Sequence, residues 1–94
     1  MRGDSAEKAA QAGTVESMDC LVTITATQGE SAVEISGSSA GRFRTAMERR
    51  VLETLDALGA PAVRVSVQDN GAADVVLGAR VEAAYRRFEG GCAK

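Results

Sequence analysis

The sequence predicts an α+β fold, a two-layer sandwich in the order β-β-α-β-α, with a small three-stranded sheet covered by two helices. Three observations lead there. Three short segments rich in β-branched residues alternate apolar and polar side chains. Two longer segments switch to the 3.6-residue period of amphipathic helices. Turns and breaks built on Gly, Pro or Asn separate these segments.

Residues 1–12 are polar and alanine-rich without clear periodicity, and read as a flexible N-terminal tail before a single domain over 13–90. The Arg2-Gly3-Asp4 triplet inside it reads as chance. From Cys20 to Thr27, Val22, Ile24 and Ala26 share one face and Thr23, Thr25 and Thr27 the other, which marks the first strand. Gln28-Gly29-Glu30 is a turn, and Ala32 to Ser36 alternates again with Val33 and Ile35 inward. Two strands joined by so short a Gly-containing loop predict a hairpin.

Gly37-Ser38-Ser39-Ala40-Gly41 ends that strand and offers Ser38 or Ser39 as a helix N-cap. Beyond it Phe43, Met47, Val51, Leu55 and Leu58 form one helical stripe, with Leu52 beside it. Gly59 is the expected C′ residue and Pro61 blocks continuation. Val63, Val65 and Val67 alternate with polar neighbours in a third strand, closed by Asp69-Asn70-Gly71. The step from the second strand through the first helix to the third strand suits a right-handed parallel crossover. A second helix from about Ala72 to Phe88 carries Leu77, Val81, Tyr85 and Phe88 inward. Gly78 marks a close approach to a neighbour, and Gly90-Gly91 ends the helix before a flexible C-terminal tail at 91–94.

Composition removes whole classes of chemistry. Ninety-four residues make one domain with one core and no room for a large buried pocket. A net charge of -2 and a pI of about 5.1 give no global attraction to nucleic acid. No apolar run approaches the roughly 18 residues of a membrane span. The N-terminus lacks an apolar signal core, so a cytoplasmic chain is expected. With no histidine, the commonest general base, the usual nucleophile pairs and most zinc sites are missing. Neither catalytic residues nor a metal site is expected. Cys20 and Cys92 stand far apart and read as free thiols, one packed in the sheet and one on the tail. Asp69 to Asp74 lacks the ligand spacing of a calcium loop. Asp74 instead suits the first turn of a helix. Gly37 to Gly41 is too short for a phosphate loop. The arginines at 42, 44, 49 and 50 and at 80, 86 and 87 read as a solvated face, with docking of an acidic or phosphorylated partner as the alternative.

Ser17 stands between Glu16 and Asp19 just ahead of the first strand. No histidine or lysine accompanies it, so it is not an activated nucleophile. By spacing alone it is a solvated serine, and any covalent role requires activation by another protein. The run Ala12-Gly-Thr-Val-Glu-Ser-Met-Asp19 closely resembles the N-terminal motif of the acyl carrier (gamma) subunit of citrate lyase. A second run, Val65-Ser-Val-Gln-Asp-Asn-Gly-Ala-Ala-Asp74 followed by Val-Val-Leu-Gly-Ala-Arg-Val-Glu-Ala-Ala84, is similar to that family's second signature. The likeness spans about Ala12 to Phe88.

This resemblance implies a non-catalytic carrier. Its serine, Ser17 here, holds phosphoribosyl-dephospho-CoA through a phosphodiester bond made by a dedicated holo-synthase. The arm's thiol carries acetyl. The alpha subunit exchanges acetyl for citryl, and the beta subunit cleaves the citryl thioester to oxaloacetate and acetyl thioester. Glu16 and Asp19 would keep the segment solvated and be read by the transferase. Such a protein needs a small scaffold, an exposed attachment point and docking surfaces, with the arm raising local concentration at two active sites. The alternatives are the carrier of malonate decarboxylase or citramalate lyase, or an unmodified interaction module that docks through its arginine helix.

Overall fold

In the computed structural model, residues 8–38 and 40–90 are described. The order is β1 (Ala9–Gly13), β2 (Asp19–Ala26), β3 (Ala32–Gly37), α1 (Ala40–Ala57), β4 (Val63–Asn70) and α2 (Asp74–Glu89). The expected α+β fold is present, but the sheet has four strands, in the order β1-β2-β4-β3.

Two details of the expected sheet are corrected. Residues 9–12 belong to β1 and not to a tail: Ala9 to Gly13 pair antiparallel with Thr25 to Leu21. Ala10 and Ala12 face the core and Ala9 and Gln11 face away, so the alternation is built from small side chains. Residues 1–7, Ser39 and residues 91–94, with Cys92, the Arg-Gly-Asp triplet, one N-cap candidate and the C-terminal tail, lie outside the described residues. The second correction concerns pairing. β2 and β3 do not form a hairpin, because β4 lies between them, antiparallel to β2 and parallel to β3. The step from β3 through α1 to β4 is the parallel crossover expected of it.

β4 shows why it takes the centre. It alternates strictly, with Val63, Val65, Val67 and Asp69 buried and the residues between them exposed. Paired on both edges, its three valines fill the middle of the layer beside Cys20, Val22 and Ile24 of β2 and Ile35 of β3. Fully burying a side chain of this size contributes about 1.5–3 kcal/mol. From above, α1 supplies Ala40, Met47, Val51 and Leu55, and α2 supplies Leu77, Val81, Ala84, Tyr85 and Phe88.

The first helix ends as its sequence implies. Gly59 has φ +68, its N–H donates to the Asp56 carbonyl, and the Ala60 N–H donates to the Leu55 carbonyl. These are the two bonds of a Schellman cap. Asp74 does occupy the first turn of α2, where it also pairs with Arg50 of α1, Nε to Oδ2 at 2.8 Å. Gly78 faces Arg50 and Thr54 of α1, with room for close packing between the helices. One residue leaves the expected stripe. Phe43 has non-helical angles (φ -117, ψ 18) that kink the start of α1, and its side chain is half exposed.

Candidate functional site

Ser17 lies in the loop joining β1 to β2, and the local backbone explains how it is displayed. Gly13 ends β1 with φ +100, and a Cβ there would stand 1.9 Å from the Cys20 carbonyl oxygen. Only glycine permits that crossing, and the Thr14 N–H then donates to the same Cys20 carbonyl at 3.1 Å. Beyond it Glu16 to Asp19 form a turn closed by the Asp19 N–H on the Glu16 carbonyl at 3.1 Å. Ser17 is its second residue and Met18, with φ 65, its third. A type II turn requires a positive φ at that third position and usually places Gly or Asn there. A methionine in this conformation carries strain of about 1–2 kcal/mol. Met18→Asn, which keeps a side chain suited to positive φ, is therefore expected to be neutral or to stabilise the fold by up to about 1 kcal/mol, read by thermal unfolding.

Around the turn the side chains divide into two sets. Thr14, Asp19, Asn70 and Arg80 hold the loop. The Thr14 hydroxyl donates to Asp19 Oδ2 at 2.8 Å and accepts from the Glu16 N–H at 3.2 Å. Arg80 of α2 grips Asp19 with two bonds, Nε to Oδ1 at 3.0 Å and Nη2 to Oδ2 at 2.9 Å. The Cys20 N–H adds a second donor to Oδ1 at 2.7 Å. Asn70, the last residue of β4, accepts from the Met18 N–H at 2.7 Å and donates its Nδ2 to the Val15 carbonyl at 3.0 Å. The second set projects outward. Val15, Glu16, Ser17 and Met18 are exposed, and among the described residues the side chains of Glu16 and Ser17 make no hydrogen bond or ion pair.

The electrostatics follow this division. Arg80 first, then the Cys20 N–H and Thr14, hold the Asp19 carboxyl at about 2, below its ordinary 3.8. Asp19 does not keep the segment solvated as expected of it. Its side chain is 14% exposed and clamped, which makes it a structural anchor. Glu16 is the acid that faces solvent beside Ser17. Arg80, read from the sequence as part of a solvated face, is Asp19's partner. Its separation of 61 residues from Asp19 hid the pair. Thr14, Asn70 and the φ of Gly13 were also missed. The Gly-Thr dipeptide opening the motif was their one local signal.

Two further residues shape the floor of the site. Cys20 is fully buried on the inner face of β2, and burial pushes its thiol up to about 11, so it is a packed side chain with no part in the loop's surface. Asp69, buried at the end of β4, accepts from the N–H groups of Gly71 and Ala72, both at 3.0 Å. That turn fixes the Asn70 side of the loop and leads into α2. Among the described residues no cluster of His, Cys, Asp and Glu is placed to hold a metal ion. None of the described helices is long and apolar enough to cross a membrane.

Ser17 is thus an exposed serine on a clamped turn. Comparison with known proteins bears on this. The citrate lyase acyl carrier protein of Haemophilus influenzae (strain PittGG) is 44% identical over 80 residues, 85% of this chain and 83% of that one. Its counterpart in Fusobacterium nucleatum is 41% identical over 80 residues, 83% of this chain and 85% of the relative. That of Klebsiella pneumoniae is 44% identical over 79 residues. Among solved structures, a chain of a Pseudomonas malonate decarboxylase hetero-tetramer in complex with malonate has a similar fold, with a TM-score of 0.65 over 88% of this chain at 24% identity. A family model described as the malonate decarboxylase delta subunit (MdcD) matches residues 7–88. The chain is thus a member of the acyl carrier family that includes the citrate lyase acyl carrier proteins and the malonate decarboxylase delta subunit.

Proposed function

We propose that this protein is the acyl carrier subunit of a citrate lyase, with Ser17 as the attachment point for phosphoribosyl-dephospho-CoA. The observation that carries the reading is the Ser17 hydroxyl, exposed and free of partners at the second position of a turn that four other side chains hold in place. The residues fit the group. Ser17 offers an oxygen for a phosphodiester on the outermost part of the loop, with nothing of the fold in the way. When bound, the group supplies a thiol on which an acyl unit is carried as a thioester.

The chain's own contribution is presentation. Of the two flanking carboxylates, Asp19 is held at about 2 by Arg80 and is spent on the clamp, and the base that takes the Ser17 proton is assigned to the holo-synthase. Glu16, free and acidic beside Ser17, is the side chain available for that enzyme to read. The alpha and beta subunits of the lyase are the proposed partners, and the chain itself supplies no catalytic group.

Intact mass and peptide mapping test this, on protein co-expressed with the holo-synthase and its precursor pathway. A phosphoribosyl-dephospho-CoA adduct is expected on the Ser17 peptide and is expected to be lost completely in Ser17→Ala. An unmodified Ser17 beside a demonstrably active transferase would overturn the proposal. A second reading, the carrier of a malonate decarboxylase, draws on the family description and the structural neighbour. Reconstitution separates the two: turnover of citrate with lyase subunits supports the first, and turnover of malonate with decarboxylase subunits the second.

A further inference from the structure

Phe43 is the one aromatic side chain left half exposed, and it sits at a kink that turns it out of the helical stripe. It lines a recess of about 320 Å³ with Ala46, Met47, Gly71, Ala72 and Leu77. Asp74, also on the rim, is engaged by Arg50. Over one face of the ring stands a cation: the Arg42 guanidinium lies 5.3 Å from the Phe43 centroid. Arg42 has no carboxylate partner among the described residues. An apolar recess, an exposed aromatic face and an unpaired guanidinium together suit a ligand with a flat base and phosphate oxygens.

The recess lies next to the Ser17 loop. A Cβ built on Gly71 would be 3.8 Å from Met18 Cα. Met18 Cα is about 3.8 Å from that of Ser17, so the serine stands within roughly 10 Å of the recess edge. Such a span is short for a group attached to the serine.

From this juxtaposition we infer that the Phe43 recess is a resting site for the adenine nucleotide portion of the group carried on Ser17, with Phe43 stacking on the base and Arg42 facing phosphate oxygens. The inference rests on the carrier reading above and deepens it. It gives the carrier two states. In one the nucleotide lies on the domain and only the distal thiol arm swings. In the other a partner's pocket draws the nucleotide off. Docking shortens the free tether and raises the effective concentration of the thiol near the domain surface.

The test uses the modified protein, its adduct first established by mass, and observes the adenine ring protons by NMR. The expected result is that they shift upfield from free dephospho-CoA and show cross-peaks to the Phe43 ring. Both features are expected to vanish in Phe43→Ala and to weaken in Arg42→Ala, with sheet resonances unchanged. Phe43→Leu, which keeps apolar volume without a ring, is expected to lose the upfield shift while the fold is kept. A confirmed adduct whose adenine signals are sharp and at free-ligand positions overturns the resting site and leaves the carrier reading standing. Absence of any adduct with active transferase overturns the carrier reading instead. Titration of the unmodified protein with millimolar dephospho-CoA then decides the recess by itself: shifts confined to Phe43, Ala46, Ala72 and Leu77 retain it as a nucleotide site, and no shifts there remove it.

Discussion

Gly13→Ala is expected to dismantle the loop that displays Ser17. The added Cβ would stand 1.9 Å from the Cys20 carbonyl oxygen, and φ +100 is closed to an L side chain. The clash is with the backbone of Cys20 on the paired strand β2, so no side chain can swing away to relieve it. A cost of roughly 3–5 kcal/mol follows from strain of this kind. In a domain of this size that corresponds to a fall in melting temperature on the order of 20 °C. Gly29→Ala is the control. Its Cβ would meet nothing within 4 Å, and its φ is not positive, so a change within about 1 kcal/mol is expected. Thermal unfolding of the two variants side by side reads the difference. Equal melting temperatures would remove the steric account of the Gly-Thr motif.

Asp19→Asn has the second large effect, and it falls on presentation more than on the core. The variant keeps the shape of the side chain and loses the charge that Arg80 grips. Asp19 titrates at about 2 in the fold against an ordinary 3.8. Its contribution to stability is therefore present above pH 4 and is lost as pH falls through about 2. The wild-type protein is expected to be more stable than Asp19→Asn at neutral pH, and the gap is expected to close between pH 4 and pH 2. At neutral pH the loosened turn is expected to lower the rate of Ser17 modification by roughly 10–100-fold, the usual penalty of a misplaced reacting group. Arg80→Ala separates two explanations. If the clamp positions the loop, this variant slows modification as well. If the transferase reads the Asp19 carboxylate directly, freeing that carboxylate leaves the rate unchanged.

Much of the architecture was legible because it rests on periodicity. β4 alternates without exception, and α2 keeps Leu77, Val81, Tyr85 and Phe88 at helical spacing, so local pattern and tertiary environment agree. The rest depended on relations that a local pattern does not contain. β1 was overlooked because Ala-Ala-Gln-Ala-Gly has neither β-branched nor aromatic residues, although its alanines alternate in and out as a strand requires. The hairpin of β2 and β3 failed because a short connection says only that two strands are near each other, while β4 supplies a better-packed partner to both. Phe43 left its stripe because the kink at the start of α1 turned it outward. At the site, the resemblance alone singles out Ser17, because by spacing it reads as a solvated serine. Asp19 reads in the sequence as a solvated acid, because its partner comes from the last helix.

The insertion of β4 between β2 and β3 also sets the order in which the protein can finish folding. β2 is complete at Ala26 and β3 at Gly37, yet neither has its main partner until Val63 to Asn70 has been made. Contacts this distant in sequence close late and slow the approach to the native state. The final residue of that strand, Asn70, supplies two of the bonds that steady the Ser17 turn, and Arg80 follows ten residues further on. The turn therefore takes its display geometry only in a chain whose sheet has closed. A transferase that recognises this geometry distinguishes finished domains from nascent or misfolded ones without any separate checkpoint.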